Sequence, residues 1–292
     1  MAVHPQRLAV AKTYKLFIGG AFPRSESGRH LIARTPNGDH VANYCNASRK
    51  DLRDAIRQAR AAQPGWQNLP AALRGQILYR VAEILESRRS SFLPELSLTG
   101  LDAKSAGRQL DLAIDRIVHY AGWTDKLAAV FGSVNPVASP HWNVTAPEPC
   151  GVVAAVCPDS PSLLGLVTLL ATALVTGNSV VAIASEKEAL SAISLAEVLA
   201  VSDLPAGVVN ILTGIRSELA PALASHHEVH AILDAGGDPA VSAILAGGTS
   251  TNLKRVALWH YNAAQWESEE LENPYRILDT VEFKTAWHPS AL

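Results

Sequence analysis

From Gly151 onward the chain alternates short, wholly apolar runs with helix-length segments, and no other feature limits its fold so severely. The apolar runs are GVVAAVC, NSVVAIA, GVVNILT, HAILDA and KRVALWH. Between them lie SLLGLVTLLATALVTG, EALSAISLAEVLAV and helical patterns over residues 217–224 and 239–246. A strand whose side chains do not alternate in polarity is buried on both faces, and strands linked through helices lie parallel. The pattern predicts a five-stranded, doubly wound α/β sheet of Rossmann type over residues 151–262.

The preceding half reads differently. Residues 1–12 lack periodicity, YKLFIGG from Tyr14 reads as a short strand and turn, and residues 32–44 read as strand around Pro36, Asn37 and Gly38. SRKDLRDAIRQARAAQ opens on Ser48 with Asp51 three positions on, then places Leu52, Ile56 and Ala59 at helical spacing. Further helices are expected over residues 72–87, with Ile77, Val81, Ile84 and Leu85 on one face, and over 103–126. Residues 1–132 thus form strands and a helical layer. GSVNPVASPHWNVTAPEP, from Gly132 to Pro149, is rich in proline and β-formers and predicts an extended arm or hairpin over residues 133–150. Within residues 263–292, QWESEELENP reads as a solvated acidic linker. VEFKTAWH then alternates like a strand at an exposed sheet edge.

Composition narrows the function classes. A net charge of -2 with 48% hydrophobic residues favours no polyanionic partner, so nucleic acid is not an expected ligand. The longest apolar stretch, residues 163–175, is too short to span a bilayer, and the opening MAVHPQRLAVAKTYK has no signal-peptide layout. The expectation is a cytoplasmic protein that does not enter membranes. Cys45, Cys150 and Cys157 form no CxxC pair and have no histidines at ligand spacing, so reduced thiols are expected, with no metal site.

Several segments, taken in order, resemble the aldehyde dehydrogenase superfamily: LFIGGAF, TGLDAKSA with DLAIDRIVHYAGWTDK, EPCGVVAAVCP, ALVTGNSVV, LPAGVVNILTG and NLKRVALW. VEFKTAWH resembles the family's terminal strand, which the resemblance implies pairs with a neighbouring subunit. Between NLKRVALW and VEFKTAWH the family carries its catalytic domain, which is absent here. The chain is most similar to the shortened, non-catalytic second copy found in one two-domain branch, the family 16-like enzymes.

The resemblance also assigns the chemistry position by position. Aldehyde oxidation needs a cysteine nucleophile, a glutamate base, an asparagine oxyanion donor and a nicotinamide coenzyme. The nucleophile belongs to the absent domain, and no cysteine follows Cys157. Ser160 stands at the asparagine position, and loss of one oxyanion donor typically costs about 10² to 10³ in rate. Trp259 stands at the glutamate position and cannot take a proton. Of the two residues that grip the adenosine ribose, the lysine is replaced by Ile183, which removes a bond worth about 1.5–3 kcal/mol. Glu186 keeps the second, although it is also suited to a helix start.

Gly214 is retained from the glycines after the third strand, but Arg216 and Ala220 add side chains that crowd the adenine pocket. Asp234 opens the turn that holds Gly236 and Gly237, and would oppose a pyrophosphate. The vestigial coenzyme contacts are therefore Ser160, Glu186, Gly214 and Gly236, with no catalytic residue. No coenzyme is expected, and any NAD binding is weakened. His226 and His227 read as solvent-exposed loop residues. The expected role is a pseudoenzyme that associates with a full-length aldehyde dehydrogenase subunit or forms a homo-oligomer. The alternatives are an NAD-dependent aldehyde oxidoreductase with an atypical site, or a sensor that binds NAD without turnover.

Overall fold

A computed structural model of the chain describes residues 12–98, 100–250 and 252–290. Residues 1–11, which belong to the aperiodic opening, lie outside these. The chain begins with a hairpin, β1 (His30–Arg34) and β2 (His40–Cys45), whose antiparallel register runs from His30 opposite Cys45 to Arg34 opposite His40. Gly38, with a φ of +90°, makes the turn that the Pro-Asn-Gly sequence predicts. YKLFIGG is not a continuous strand. Tyr14, Phe17 and Ile18 make isolated bridges, and Phe17 meets Ile211 at the edge of the central sheet.

Four helices follow: α1 (Arg49–Gln67), α2 (Ala71–Ser87), α3 (Arg89–Ser97) and α4 (Ala103–Ala121), with a short α5 (Leu127–Phe131). The start of α1 is the capping box its sequence predicts: the Ser48 hydroxyl accepts from Asp51 N–H while the Asp51 carboxylate accepts from Ser48 N–H. The helix predicted to reach residue 126 ends at Ala121. There the hydrogen bonds tighten to three-residue spacing at Trp123, Thr124 and Lys126 before α5 begins. Helix α3 carries Pro94 within it, which masks its periodicity, yet Phe92 and Leu96 one turn apart are both buried.

The arm consists of β3 (Ser133–Asn135) and β4 (His141–Pro149). The alternating core follows as β5 (Val152–Val156), α6 (Ser162–Leu174), β6 (Ser179–Ile183), α7 (Ala189–Leu199), β7 (Val209–Leu212), α8 (Arg216–Ser225), β8 (Ala231–Asp234), α9 (Pro239–Gly247) and β9 (Arg255–Leu258). Its five strands pair parallel in the order β7-β6-β5-β8-β9, as the alternating sequence predicts. Helices α1, α8 and α9 cover one face; α6 and α7 cover the other, with α2 and α4 as an outer layer.

Every residue of α6 is buried, which explains a helix apolar all round. Its Thr168 and Thr172 hydroxyls donate to the carbonyls of Leu164 and Thr168, so neither is left unsatisfied in the core. Among the described residues no helix is long and apolar enough to cross a membrane.

After β9 the chain does not form a solvated linker. A short helix, α10 (Ala263–Trp266), and two 3₁₀ segments, Glu269–Glu272 and Pro274–Thr280, make a strap in which Trp266, Leu271 and Ile277 are fully buried. Arg116 of α4 is itself fully buried; its guanidinium donates to the carbonyls of Trp266 and Ser268 and lies 3.5 Å from the Glu272 carboxylate. The Tyr120 hydroxyl donates to Leu271 O at 2.7 Å. The apolar anchors are spaced too irregularly for a helix or strand pattern, and the glutamates between them disguise the packing. The strap delivers β10 (Val281–Pro289) to β4, where nine residues pair antiparallel, and the arm sheet has the order β10-β4-β3. The predicted edge strand thus pairs first within its own chain, and its outer side carries no strand among the described residues.

Candidate functional site

In an open parallel sheet, ligands bind beyond the carboxyl ends of the strands where the strand order reverses. Here that point lies between β5 and β8, since β6 and β7 continue to one side of β5 and β9 lies beyond β8. The loops that rim it are the turn after β5 with Asp159 and Ser160, the loop after β6 with Ser185 and Glu186, the start of α8 at Arg216, and the turn after β8 with Gly236.

The rim is tied together by charge. The Arg216 guanidinium donates to Asp159 Oδ1 at 2.6 Å and to Gly236 O at 3.5 Å. Asp159 Oδ1 also accepts from Ser185 Oγ and Glu186 N–H, both at 3.1 Å. Glu186 Oε1 accepts from the Arg216 N–H at 2.7 Å, and the Tyr44 hydroxyl donates to Glu186 O at 3.2 Å. The Arg216 side chain is 6% exposed and that of Asp159 is 25% exposed. Burial alone would raise the Asp159 carboxyl. The adjacent guanidinium, with the Ser185 and Glu186 donors, outweighs this and holds it below the usual aspartate range.

The expected site residues separate in space. Ser160 is exposed at the tip of its turn. Glu186 caps the N-terminus of α8, one strand away, rather than the helix that follows it in sequence. Gly214 is required by a close approach: an added Cβ would stand 3.0 Å from Ala47 N and Asn46 Oδ1. A Cβ on Gly236 would meet Val156 Cγ1 at 3.0 Å and Arg216 Cδ at 3.5 Å. Asp234 does not face the crevice as its sequence position suggests. Fully buried, it accepts from Gly236 N–H and the Ser242 hydroxyl, and His260 Nε2 lies 3.5 Å away. The carboxylate at the rim is Asp159.

Trp259 lies away from this rim. Its ring packs on Tyr261 and Trp266 at 6.3 Å, its Nε1 donates to Asp279 Oδ2 at 2.9 Å, and Arg276 stacks over it. It belongs to the seam between β9 and the strap. Cys157 follows β5 and is fully buried, and burial pushes its thiol up to about 12 in spite of Arg216. Cys150 is likewise pushed up to about 12 by burial. Among the described residues no group of three histidines, cysteines or carboxylates is placed to hold a metal. His226 is half-buried, and burial lowers its imidazole from the ordinary value, whereas His227 is exposed.

A family model described as the aldehyde dehydrogenase family matches residues 23–259. The chain belongs to the aldehyde dehydrogenase family. Retinal dehydrogenase 2 of Mus musculus is 32% identical over 253 residues, which are 85% of this chain and 48% of that protein. Aldehyde dehydrogenase, cytosolic 1, of Elephantulus edwardii is 30% identical over 256 residues, 84% and 49% of the two chains. Among solved structures, PnpE from Pseudomonas sp. WBC-3 superposes with a TM-score of 0.81 at 29% identity, covering 85% of this chain and 50% of that one. The NAD+ complex of the aldehyde dehydrogenase from Bacillus cereus gives 0.79 at 26% identity, with 85% and 50% covered. The chain spans about half the length of the curated relatives it matches. The aldehyde dehydrogenase match ends at Trp259, just before the strap, and the strap's residues 263–280 stand where the resemblance leads one to expect the family's catalytic domain.

Sequence reasoning missed the Asp159–Arg216 pair: it read Arg216 as a side chain that crowds the adenine pocket and gave Asp159 no role. The signal was that a carboxylate and a guanidinium appear together on two loops of one crevice.

Proposed function

We propose that this protein is a non-catalytic member of the family that acts by association, with a full-length aldehyde dehydrogenase subunit or with a second copy of itself. The observation that carries this is the arm sheet. It projects three strands with apolar side chains exposed on both faces: Val134, Trp142 and Val144 on one, Phe283 and Trp287 on the other. A small sheet exposed on both faces, with no strand along its outer edge among the described residues, is a ready template for a partner sheet.

The crevice supports the same reading by what it lacks. Ser160 offers a short hydroxyl at the tip of a turn, Trp259 is committed to the strap, and the buried thiols are far from nucleophilic. The residues present do not fit a nicotinamide dinucleotide. Glu186 is engaged at α8, the lysine position holds buried Ile183, and a guanidinium crosses the crevice. Size-exclusion chromatography with light scattering, alone and with a complete aldehyde dehydrogenase, tests the proposal. A stable dimer or a co-eluting complex is expected; a monomer that ignores the enzyme at micromolar concentration refutes it.

A further inference from the structure

The crevice is not merely poor in coenzyme contacts; it is closed from within. Arg216 leaves the first turn of α8, runs beneath the loop surface with 6% of its side chain exposed, and ends between the turns that follow β5 and β8. These are the two turns whose separation makes the binding crevice of a doubly wound sheet. Its charge is met by Asp159, which is fixed by Ser185 Oγ and Glu186 N–H, so the guanidinium is bonded on the turns after β5 and β8 and braced through the loop after β6. The N-terminus of α8, where a phosphate would find free N–H groups, already holds a carboxylate from Glu186. Arg216 Nε is buried without a hydrogen-bond partner. A buried donor left unpaired costs free energy, so the side chain lies where it does because the network fixes its far end.

We infer that Arg216, Asp159 and Glu186 form an internal plug that excludes adenine dinucleotides from the switch-point crevice. The inference deepens the reading of the crevice as non-catalytic but does not depend on association, so the chromatographic test and the one below can fail separately.

Two measurements on the full chain decide it. Isothermal titration with NAD+ and with ADP-ribose is expected to show no binding at millimolar ligand for the native chain. It should show none for Arg216→Lys, which keeps a cation beside Asp159. Arg216→Ala should gain binding by at least tenfold. Binding by the native chain that weakens in Arg216→Ala would make the arginine a ligand contact and overturn the plug. So would a folded Arg216→Ala that gains nothing. Hydrogen exchange on the native chain supplies the second measurement, whether or not the variants fold. The amides of Glu186, Arg216 and Gly236 should exchange at the same rate with and without 10 mM ligand, a concentration on the order of a weak millimolar Kd. New protection there refutes the inference.

Discussion

At the scale of single residues, Asp159 carries the clearest pH signature. Its folded carboxyl titrates below the ordinary aspartate value of about 3.9. The stability it supplies is therefore complete above that value and is lost as pH falls through the depressed folded value. Asp159→Asn should lower stability at pH 7 by less than the roughly 3–5 kcal/mol that breaking a fully buried pair costs, because the carboxylate is partly exposed. The difference between the native and variant proteins, measured by urea unfolding, should shrink below about pH 4. An undiminished difference at pH 3 would remove the ion pair from the account. Trp259 makes a second case. Restoring a glutamate there does not restore a base, since the position faces Trp266 and Tyr261 in the strap seam. Trp259→Glu should destabilise the fold and yield no aldehyde oxidation. Trp259→Ala should cost about 3–5 kcal/mol by thermal or urea unfolding, and a loss under about 1 kcal/mol would contradict the packing described.

At the scale of elements, the parallel core was legible and its surroundings less so. Runs such as GVVAAVC and NSVVAIA announce doubly covered strands because burial on both faces removes every polar residue. The capping box at Ser48 and the hairpin turn at Gly38 were equally plain, since each is a local rule that local sequence obeys. The strap was not legible. Its order comes from Arg116 and Tyr120, which lie on α4 and bind its carbonyls from far away in sequence. No local pattern reports such a contact. The sequence offered the site only as an expectation, a set of substitutions at Ser160, Ile183 and Trp259. The bond between Asp159 and Arg216 was not legible, because it joins two loops.

The arm sheet yields the prediction that belongs to this scale. Paired substitution of Trp142→Lys and Phe283→Lys changes one exposed apolar residue on each face while leaving the nine-residue pairing of β10 with β4 in place. Association should weaken by at least tenfold in sedimentation equilibrium, with an unchanged melting curve. If the complex survives intact, the contact lies elsewhere.

For the whole molecule, the strap packs against α4, α6, β8 and β9. Trp259, Trp266, Leu271 and Ile277 are buried with the chain's own residues at the seam between β9 and the strap. NADH production from a panel of aldehydes should be absent for the isolated protein, and measurable turnover would overturn the non-catalytic reading, since the Cys150 and Cys157 thiols are pushed up by burial.

The pairing of β10 with β4 also sets an order of events during synthesis. His141 lies opposite Pro289, so the arm cannot be completed until residues 151–280 have left the ribosome. Contacts so distant in sequence form late. The hairpin of β3 and β4, with Trp142 and Val144 uncovered, waits meanwhile beside a core that can already fold. A partner strand present in that interval competes with β10 for the same edge. For any such partner, timing as much as affinity would then decide whether the arm closes on its own chain.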